Sequence, residues 1–368
     1  MSIRVWSYLE EYEAEKAEIR EAIERVLKSG SLILASEVAA FEEEFARYCG
    51  AAYGVGVANG TDALFLALKA LEIGDGDEVI TVSNTAVPTV SAIVSAGARP
   101  RFVDIDPSTY LMDCTKVEEV VGERTRCILP VHLYGQCVDM PALRAIADRH
   151  DLKLLEDCAQ SHGASFRGTK AGAMSDAAAF SFYPTKLLGT YGDGGMVLTS
   201  DEETRGKLRR LRFYGMEGRY YAQEHGYNSR LDELHAAILR SKLGHLDGYI
   251  ARRREIAERY DEMLERTALV LPKTASGNEH AYYLYVVSHG RRDALISELA
   301  RREIHVNVSY PHPIHTMTAY QSFGEGLGSL PVSEAAAGRI FSLPMYPALS
   351  EEEQSTVIRA LRELAPAD

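Results

Sequence analysis

Strand-like and helical segments alternate along most of the sequence, and this alternation constrains the fold more than any other feature. Amphipathic helical patterns separate several short apolar runs that are typical of strands, namely 55–58, 78–82, 101–105, 127–133 and 153–158. This order predicts an α/β fold with a mostly parallel central sheet flanked by helices. In such sheets ligands bind at the carboxyl ends of the strands, where helix N-termini also point. We therefore expect the functional residues at that edge.

The pattern changes after about residue 245. A long charged helical pattern at 249–265 leads to an alternating strand at 281–288, and an amphipathic helix closes the sequence. The change predicts two domains, a large α/β domain at 1–245 and a smaller C-terminal α+β domain at 246–368.

Composition argues against several classes of function. The chain has 53 acidic and 40 basic residues and a formal charge of −13, so it has no general attraction for nucleic acid or anionic membranes. No run approaches the roughly 18 apolar residues of a membrane-spanning helix, and the acidic N-terminus is unlike a secretory signal. The five cysteines are scattered and never form C-x-x-C, which argues against a disulfide framework or a cysteine-ligated zinc site. We expect a soluble, cytoplasmic protein.

The segment VANGTDALFLALKAL at 57–71 is a candidate phosphate site. A predicted strand ends at Ala58 and a helix starts near Thr61, so free backbone N–H groups and the Thr61 hydroxyl can bind an anion. An ordinary capped strand–turn–helix explains the same residues. A dinucleotide site is excluded, because the G-x-G-x-x-G fingerprint needs glycine at position 59, where Asn59 stands.

Two ionisable residues stand where this architecture carries its chemistry. Asp157 ends the apolar run at 153–158, where a carboxylate can hold a proton on a ring nitrogen, bind a metal or cap the next turn. Lys186 lies in apolar company within AAAFSFYPTKLLGTYGDGG at 177–195. Most lysines occupy solvated faces, but burial disfavours the ammonium ion and leaves an amine that can form a Schiff base.

The segment GYNSRLDELHAAILRSKL at 226–243 contains a predicted helix capped by Ser229, with Asn228 and Arg230 at its start. Spacing alone does not distinguish this segment from a routine capped helix.

Taken together, the other candidate residues indicate one kind of chemistry. A phosphate pocket, a carboxylate at a strand end and a lysine about thirty residues later are the parts that a pyridoxal phosphate enzyme requires.

The sequence resembles the DegT/DnrJ/EryC1/StrS family of sugar aminotransferases, which have the type I aspartate-aminotransferase fold. The resemblance covers nearly the whole chain, through NGTDAL, PVHLYGQ, EDCAQSHGA, SFYPTK, GDGG, GYNSRLDE and YPHPIH. It implies that Lys186 binds pyridoxal 5'-phosphate covalently and then moves the proton between cofactor and substrate. It also implies that Asp157 pairs with the pyridine nitrogen. One branch of the family has histidine in place of this lysine and dehydrates, so Lys186 favours transamination.

The resemblance extends to the other cofactor contacts and to the assembly. It implies that Gln160 binds the ring hydroxyl and that Asn228 reaches the phosphate of the neighbouring subunit's cofactor, so that the active unit is a homodimer. The residues implied to bind the phosphate within one subunit are Gly60, Thr61 and Ser181.

The resemblance also implies a two-step reaction. L-glutamate gives its amino group to the cofactor and leaves as 2-oxoglutarate, and a nucleotide-linked keto sugar then takes the group up. The NSRLD sequence within the segment at 226–243 favours a dTDP-3-keto-6-deoxyhexose or a UDP-linked equivalent. The alternatives are a 4-keto sugar nucleotide and an aminocyclitol. Arg230 is implied to lie near the substrate, and the run Arg209, Arg210 and Arg212 offers either further cations or a solvated helix face.

Two positions depart from the family pattern. Ala86 stands where an aromatic residue usually stacks on the pyridine ring, and Ser309 stands where a histidine usually contacts the substrate. Beside Ser309, Tyr310 is expected to contact the substrate, and His312 or His315 either replaces the missing histidine or packs in the proline-rich loop.

Two further functions compete with the sugar aminotransferase. Another pyridoxal phosphate enzyme of the same fold would need an arginine pair for an amino-acid carboxylate. A non-enzymatic regulator is the other alternative, but no helix-turn-helix pattern is evident and the acidic charge disfavours DNA binding.

Overall fold

The computed structural model describes residues 2–218 and 220–367. Its α-helices are α1 (Leu9–Ser29), α2 (Ser36–Cys49), α3 (Gly60–Ala70), α4 (Val87–Ser95), α5 (Cys114–Val117), α6 (Met140–His150), α7 (Glu202–Leu211), α8 (Glu233–Leu243), α9 (Leu246–Leu264), α10 (Arg292–Arg301), α11 (Pro331–Ala337) and α12 (Glu351–Leu364). Its strands are β1 (Tyr53–Val57), β2 (Glu78–Val82), β3 (Arg99–Val103), β4 (Thr125–Ile128), β5 (Lys153–Asp157), β6 (Ser165–Phe166), β7 (Thr169–Lys170), β8 (Ala177–Ser181), β9 (Gly195–Thr199), β10 (Asn278–Glu279), β11 (Tyr285–Ser288) and β12 (Ile340–Leu343).

A seven-stranded sheet forms the centre of the molecule, in the order β1-β9-β8-β5-β4-β2-β3. Strands β8, β5, β4, β2 and β3 are parallel to their neighbours within that run, whereas β9 is antiparallel to both β1 and β8. This arrangement confirms the predicted mostly parallel α/β sheet. Strand β4 is shorter than the apolar run at 127–133 suggested, since Pro130 has no N–H to continue the ladder.

Helix α3 shows how the sheet is covered. Its sequence GTDALFLALKA is apolar on almost every side, and Leu64, Leu66 and Leu68 are buried in the largest apolar cluster. The helix packs against β8 and β9, so burial rather than an exposed polar face fixes its position. Its first residue is thereby held beside the carboxyl end of β8.

A separate apolar cluster gathers residues from α9, α10, β11, β12 and α12. Strands β11 and β12 form a two-stranded antiparallel sheet there. The N-terminal residue Ile3 joins this cluster and bridges to Ile304, although it lies at the start of the predicted large domain. The division of the chain at residues 245 and 246 stays a prediction. Among the described residues, no helix is both long and apolar enough to cross a membrane.

The helix cap predicted at Ser229, in the segment at 226–243, is wrong. Helix α8 begins at Glu233, and the Ser229 hydroxyl accepts a hydrogen bond from the backbone N–H of Ala58 instead. The extended backbone at Asp232 separates Ser229 from the helix. Ser229 therefore ties this segment to the end of β1, close to the start of α3.

Candidate active site

Seven residues singled out in the sequence line one cavity at the carboxyl edge of the sheet. The cavity has a volume of about 510 Å³, within the range that binds cofactor-sized ligands. The predicted residues that line it are Gly60, Thr61, Ala86, Asp157, Gln160, Ser181 and Lys186. They come from four separate segments, which the sheet brings together as the strand-end rule predicts.

One end of the cavity is formed by the start of α3. The Asn59 side chain caps this helix by accepting from the N–H of Asp62. Within the described residues, the N–H groups of Gly60 and Thr61 have no protein acceptor, as expected of a first helical turn. The Ser181 hydroxyl lies beside them. Two free N–H groups and a hydroxyl at the positive end of a helix fit a phosphate group.

Close approach of the backbone makes glycine necessary at position 60. A Cβ atom at Gly60 would lie only 2.6 Å from the Cβ atom of Ser181. We expect Gly60→Ala to separate α3 from β8 and to weaken the affinity for pyridoxal phosphate about 10- to 100-fold, the equivalent of one hydrogen bond to a charged group. Equilibrium dialysis measures this affinity. The control is Gly248→Ala, since a Cβ atom there meets nothing within 4 Å, and equal affinities of the two variants would contradict the prediction.

At the end of β5, the Asp157 carboxylate is buried. Its Oδ1 atom accepts from the N–H of Ala159 at 3.1 Å, and its Oδ2 atom accepts from the Thr89 hydroxyl at 2.8 Å. Burial raises the pKa of Asp157 above its ordinary value, although both hydrogen bonds act in the opposite direction. A cationic N–H group bound in the cavity is the partner that this carboxylate suits.

The side-chain amide of Gln160 has a fixed orientation. Its Oε1 atom accepts from the N–H of Tyr134 at 2.9 Å, and its Nε2 atom donates to the Tyr310 hydroxyl at 2.6 Å. The second Nε2 hydrogen is therefore available to a ligand. Burial raises the pKa of Tyr310, so its hydroxyl keeps its proton. Tyr134, which the sequence analysis missed, also donates to the carbonyl oxygen of Ser309 and so ties that loop to the site.

Lys186 is half-buried and lies in the connection between β8 and β9. Its Nζ atom lies 4.7 Å from the centre of the Tyr283 ring. The Tyr283 hydroxyl shares a hydrogen bond of 3.1 Å with the Thr185 hydroxyl. An aromatic face next to the amine positions the side chain without giving it an anionic partner. Tyr283 is a second residue that the sequence analysis missed.

Beneath Asp157 lies a buried cluster of His132, Glu156 and Cys158, whose potential metal-ligating atoms all lie within 4.8 Å of one another. His132 accepts from the N–H of Val138 through Nδ1, so its Nε2 carries the proton and donates to Glu156 at 2.9 Å. No ring lone pair is left for a metal. Burial alone raises the pKa of Glu156, but its hydrogen bonds outweigh burial and lower the pKa. The cluster fits a structural support for the end of β5.

The remaining predicted residues lie outside the cavity lining. Asn228 is exposed, and the guanidinium group of Arg230 lies over the rings of Phe213 and Tyr214. His312 is exposed. His315 is 1% exposed, and its two ring nitrogens pair with Ser83 at 2.7 Å and Glu334 at 3.0 Å. His315 therefore packs in the loop, which favours the second of its two predicted roles.

The three arginines of the run at 209–212 differ in their surroundings. Arg212 is buried, with its guanidinium group bound to Glu42 and to the Gly56 carbonyl oxygen. It is therefore neither a free cation for a diphosphate nor part of a solvated helix face. Both alternatives predicted for the run are wrong for Arg212. Arg210 is paired with Glu224 at 2.7 Å.

The cavity as a whole fits pyridoxal phosphate. It combines a helix N-terminus for the phosphate, an amide for the ring hydroxyl, a buried carboxylate for the pyridine nitrogen and an amine for the aldehyde. Comparison with known proteins supports this fit. The model of the DegT/DnrJ/EryC1/StrS aminotransferase family matches residues 13–362. The chain belongs to this family. Pyridoxal phosphate is the standard cofactor of the family, and the resemblance seen in the sequence is confirmed.

Relatives within the family are similar over the full chain. A dTDP-3-amino-3,4,6-trideoxy-alpha-D-glucose transaminase from Micromonospora megalomicea subsp. nigra is 57% identical, and the match covers 99% of each chain. A pleiotropic regulatory protein from Geobacillus stearothermophilus is 43% identical over 99% of this chain and 98% of the relative. The crystal structure of S. venezuelae DesV in complex with a ketimine intermediate has a TM-score of 0.97 at 44% identity and covers 99% of this chain and 98% of DesV. The predicted fold class is therefore confirmed.

Proposed function

We propose that this protein transfers the amino group of L-glutamate to a nucleotide-linked keto sugar, with pyridoxal 5'-phosphate held in the cavity at the carboxyl edge of the sheet. The observation that carries the proposal is the convergence of the Lys186 amine, the Asp157 carboxylate and the free N–H groups of α3 on one cavity. Membership of an aminotransferase family supports the reaction type.

The residues that line the cavity have distinct roles in the proposed reaction. When bound, the cofactor supplies an aldehyde that accepts the amino group and a ring that withdraws electrons from the reacting carbon. Lys186 holds the cofactor covalently and then, as a free amine, takes a proton from one carbon and returns it to the other. Asp157 keeps the pyridine nitrogen protonated. Gly60, Thr61 and Ser181 bind the phosphate, and Gln160 binds the ring hydroxyl.

A 3-keto sugar is the proposed acceptor. The NSRLD segment favours it, and the Micromonospora relative is named for a 3-amino sugar carried on dTDP. We therefore place a dTDP-3-keto-6-deoxyhexose first, with a 4-keto sugar nucleotide or an aminocyclitol as the alternative. Ala86 leaves more space next to the cavity than an aromatic residue would, and Arg230 and Tyr310 are proposed substrate contacts.

The experiment that tests the function uses the cofactor-loaded enzyme after treatment with L-glutamate. It is incubated with dTDP- and UDP-linked 3-keto and 4-keto sugars and, separately, with keto acids. Mass spectrometry and NMR identify each aminated product. The proposal predicts a 3-amino sugar nucleotide from the dTDP series. Amination of keto acids alone would favour another enzyme of the same fold, and cofactor binding without any turnover would favour the regulatory role that the name of the Geobacillus relative suggests.

We also propose a homodimer in which Asn228 completes the partner's site, since Asn228 is exposed and lies outside the cavity of its own chain. Mixing the inactive variants Lys186→Ala and Asn228→Ala tests this at limiting cofactor. If Asn228 acts across the interface, each mixed dimer has one fully native site. Random exchange then restores about a quarter of the parental activity. Absence of any recovery from verified mixed dimers would contradict the shared site.

A further inference from the structure

Two threonine hydroxyls form a chain that ends on the Asp157 carboxylate. The Thr85 and Thr89 hydroxyl oxygens are 2.9 Å apart, and the Thr89 hydroxyl donates to Asp157 Oδ2 at 2.8 Å. Both threonines are 1% exposed, although both contribute to the lining of the cavity. Among the described residues, no other side chain donates to this carboxylate.

Local structure explains how the chain of hydroxyls arises. Thr85 lies in the loop after β2, and Thr89 lies in the first turn of α4, four residues later. A turn in which the Thr89 N–H donates to the Ala86 carbonyl oxygen at 3.2 Å brings the two side chains to the same side. Strands β2 and β5 are separated only by β4, so this loop lies beside the end of β5.

The positions of the protons follow from the chemistry of the groups. An ionised carboxylate only accepts hydrogen bonds, so the single Thr89 proton must point to Asp157. The Thr85 proton must then point to the Thr89 oxygen. Each hydroxyl polarises the next, and the charged acceptor at the end strengthens both bonds. The arrangement stabilises a negative charge on Asp157 in a buried position.

We propose that Thr89, supported by Thr85, is a positioning residue that keeps the Asp157 carboxylate charged and oriented toward the pyridine nitrogen of the cofactor. This inference rests on the proposed function. Loss of the Thr89 hydroxyl leaves Oδ2 without its donor and makes the carboxylate a stronger base. A stronger base draws the proton away from the pyridine nitrogen, so the ring withdraws electrons less effectively.

The test compares Thr89→Val, Thr89→Ser and Thr85→Val with the parent as holoenzymes. Thr89→Val is expected to lower kcat/KM about 10- to 100-fold, the equivalent of one hydrogen bond to a charged group. It is also expected to raise the pH midpoint at which the visible absorbance of the lysine-bound cofactor changes. Thr85→Val is expected to move this midpoint in the same direction by less. Thr89→Ser keeps the hydroxyl and is expected to restore the parental midpoint.

Thr81→Val is the matched control for the loss of a buried hydroxyl. Thr81 is fully buried in β2, but it donates to the Leu129 carbonyl oxygen at 2.9 Å and does not contact Asp157. It is expected to lower the melting temperature without moving the absorbance midpoint.

The proposal is overturned if Thr89→Val keeps the parental midpoint, or if the serine and valine variants behave alike. If Thr89→Val does not fold, an unchanged midpoint in Thr85→Val overturns it. A parent that binds no cofactor overturns the proposed function as well, whereas an active parent with an unaffected valine variant overturns this inference alone.

Discussion

Replacement of Lys186 by alanine is expected to abolish both the turnover and the visible absorbance of the cofactor-loaded protein. The amine is proposed to form the covalent bond to the cofactor and to carry the proton between the two reacting carbons. Within residues 2–218 and 220–367, no other lysine lines the cavity, so no second amine there can take over either part. Loss of the proton carrier alone is expected to lower turnover by about 10²- to 10⁴-fold, and loss of the covalent bond adds to this.

Lys69→Ala is the matched control for this experiment. Lys69 is also half-buried, but its Nζ atom lies 3.5 Å from the Ala96 carbonyl oxygen on the far side of α3 and does not line the cavity. We expect this variant to keep the absorbance and the activity of the parent. Comparison of the visible spectra after gel filtration, together with initial rates, distinguishes the two lysines. A Lys186→Ala variant that still shows the parental band would contradict the assignment.

Asp157→Asn is expected to retain the cofactor but to lose about 10²- to 10³-fold in turnover, the typical effect of removing one preorganised electrostatic contact from an active site. An amide of the same shape fills the space but carries no negative charge to hold the proton on the pyridine nitrogen. The cofactor stays bound because Lys186 and the α3 N-terminus are unchanged. Single-turnover rates with L-glutamate measure the effect without contribution from the sugar substrate.

Stability provides a second measurement on the same variant. Burial raises the pKa of Asp157, which means that ionising this carboxyl opposes folding in the absence of a cation. A bound pyridinium relieves this cost, so the cofactor is expected to raise the melting temperature of the parent more than that of Asp157→Asn. Asp104→Asn controls for the loss of a buried carboxylate, because Asp104 accepts from the N–H groups of Val332 and Ser333, away from the cavity. Near-parental rates in Asp157→Asn would contradict its role.

Much of the site could be predicted because its residues stand at the ends of elements. Asp157 ends β5, Ser181 ends β8, and Gly60 begins α3. The alternation of strands and helices predicts each of these ends, and the parallel sheet then places them at one edge. The role of Lys186 was predicted from its apolar neighbours and from the family resemblance.

The residues that sequence analysis missed act through contacts between distant segments. Thr89 and Asp157 are 68 positions apart, and Thr185 and Tyr283 are 98 apart. No periodic pattern encodes such pairs. The error at Ser229 has a different origin. Both Ser229 and Asp232 are residue types that cap helices, and the apolar stripe alone does not show which of them precedes the first helical residue, Glu233. The cytoplasmic location and the domain division stay predictions.

Borohydride reduction of the cofactor-loaded parent, followed by digestion and mass spectrometry, identifies the residue that binds the cofactor covalently. Reduction makes the bond between cofactor and amine permanent. We expect loss of the visible band and a single pyridoxyl modification, on the peptide that contains Lys186. Modification of another lysine, or none at saturating cofactor, would contradict this expectation.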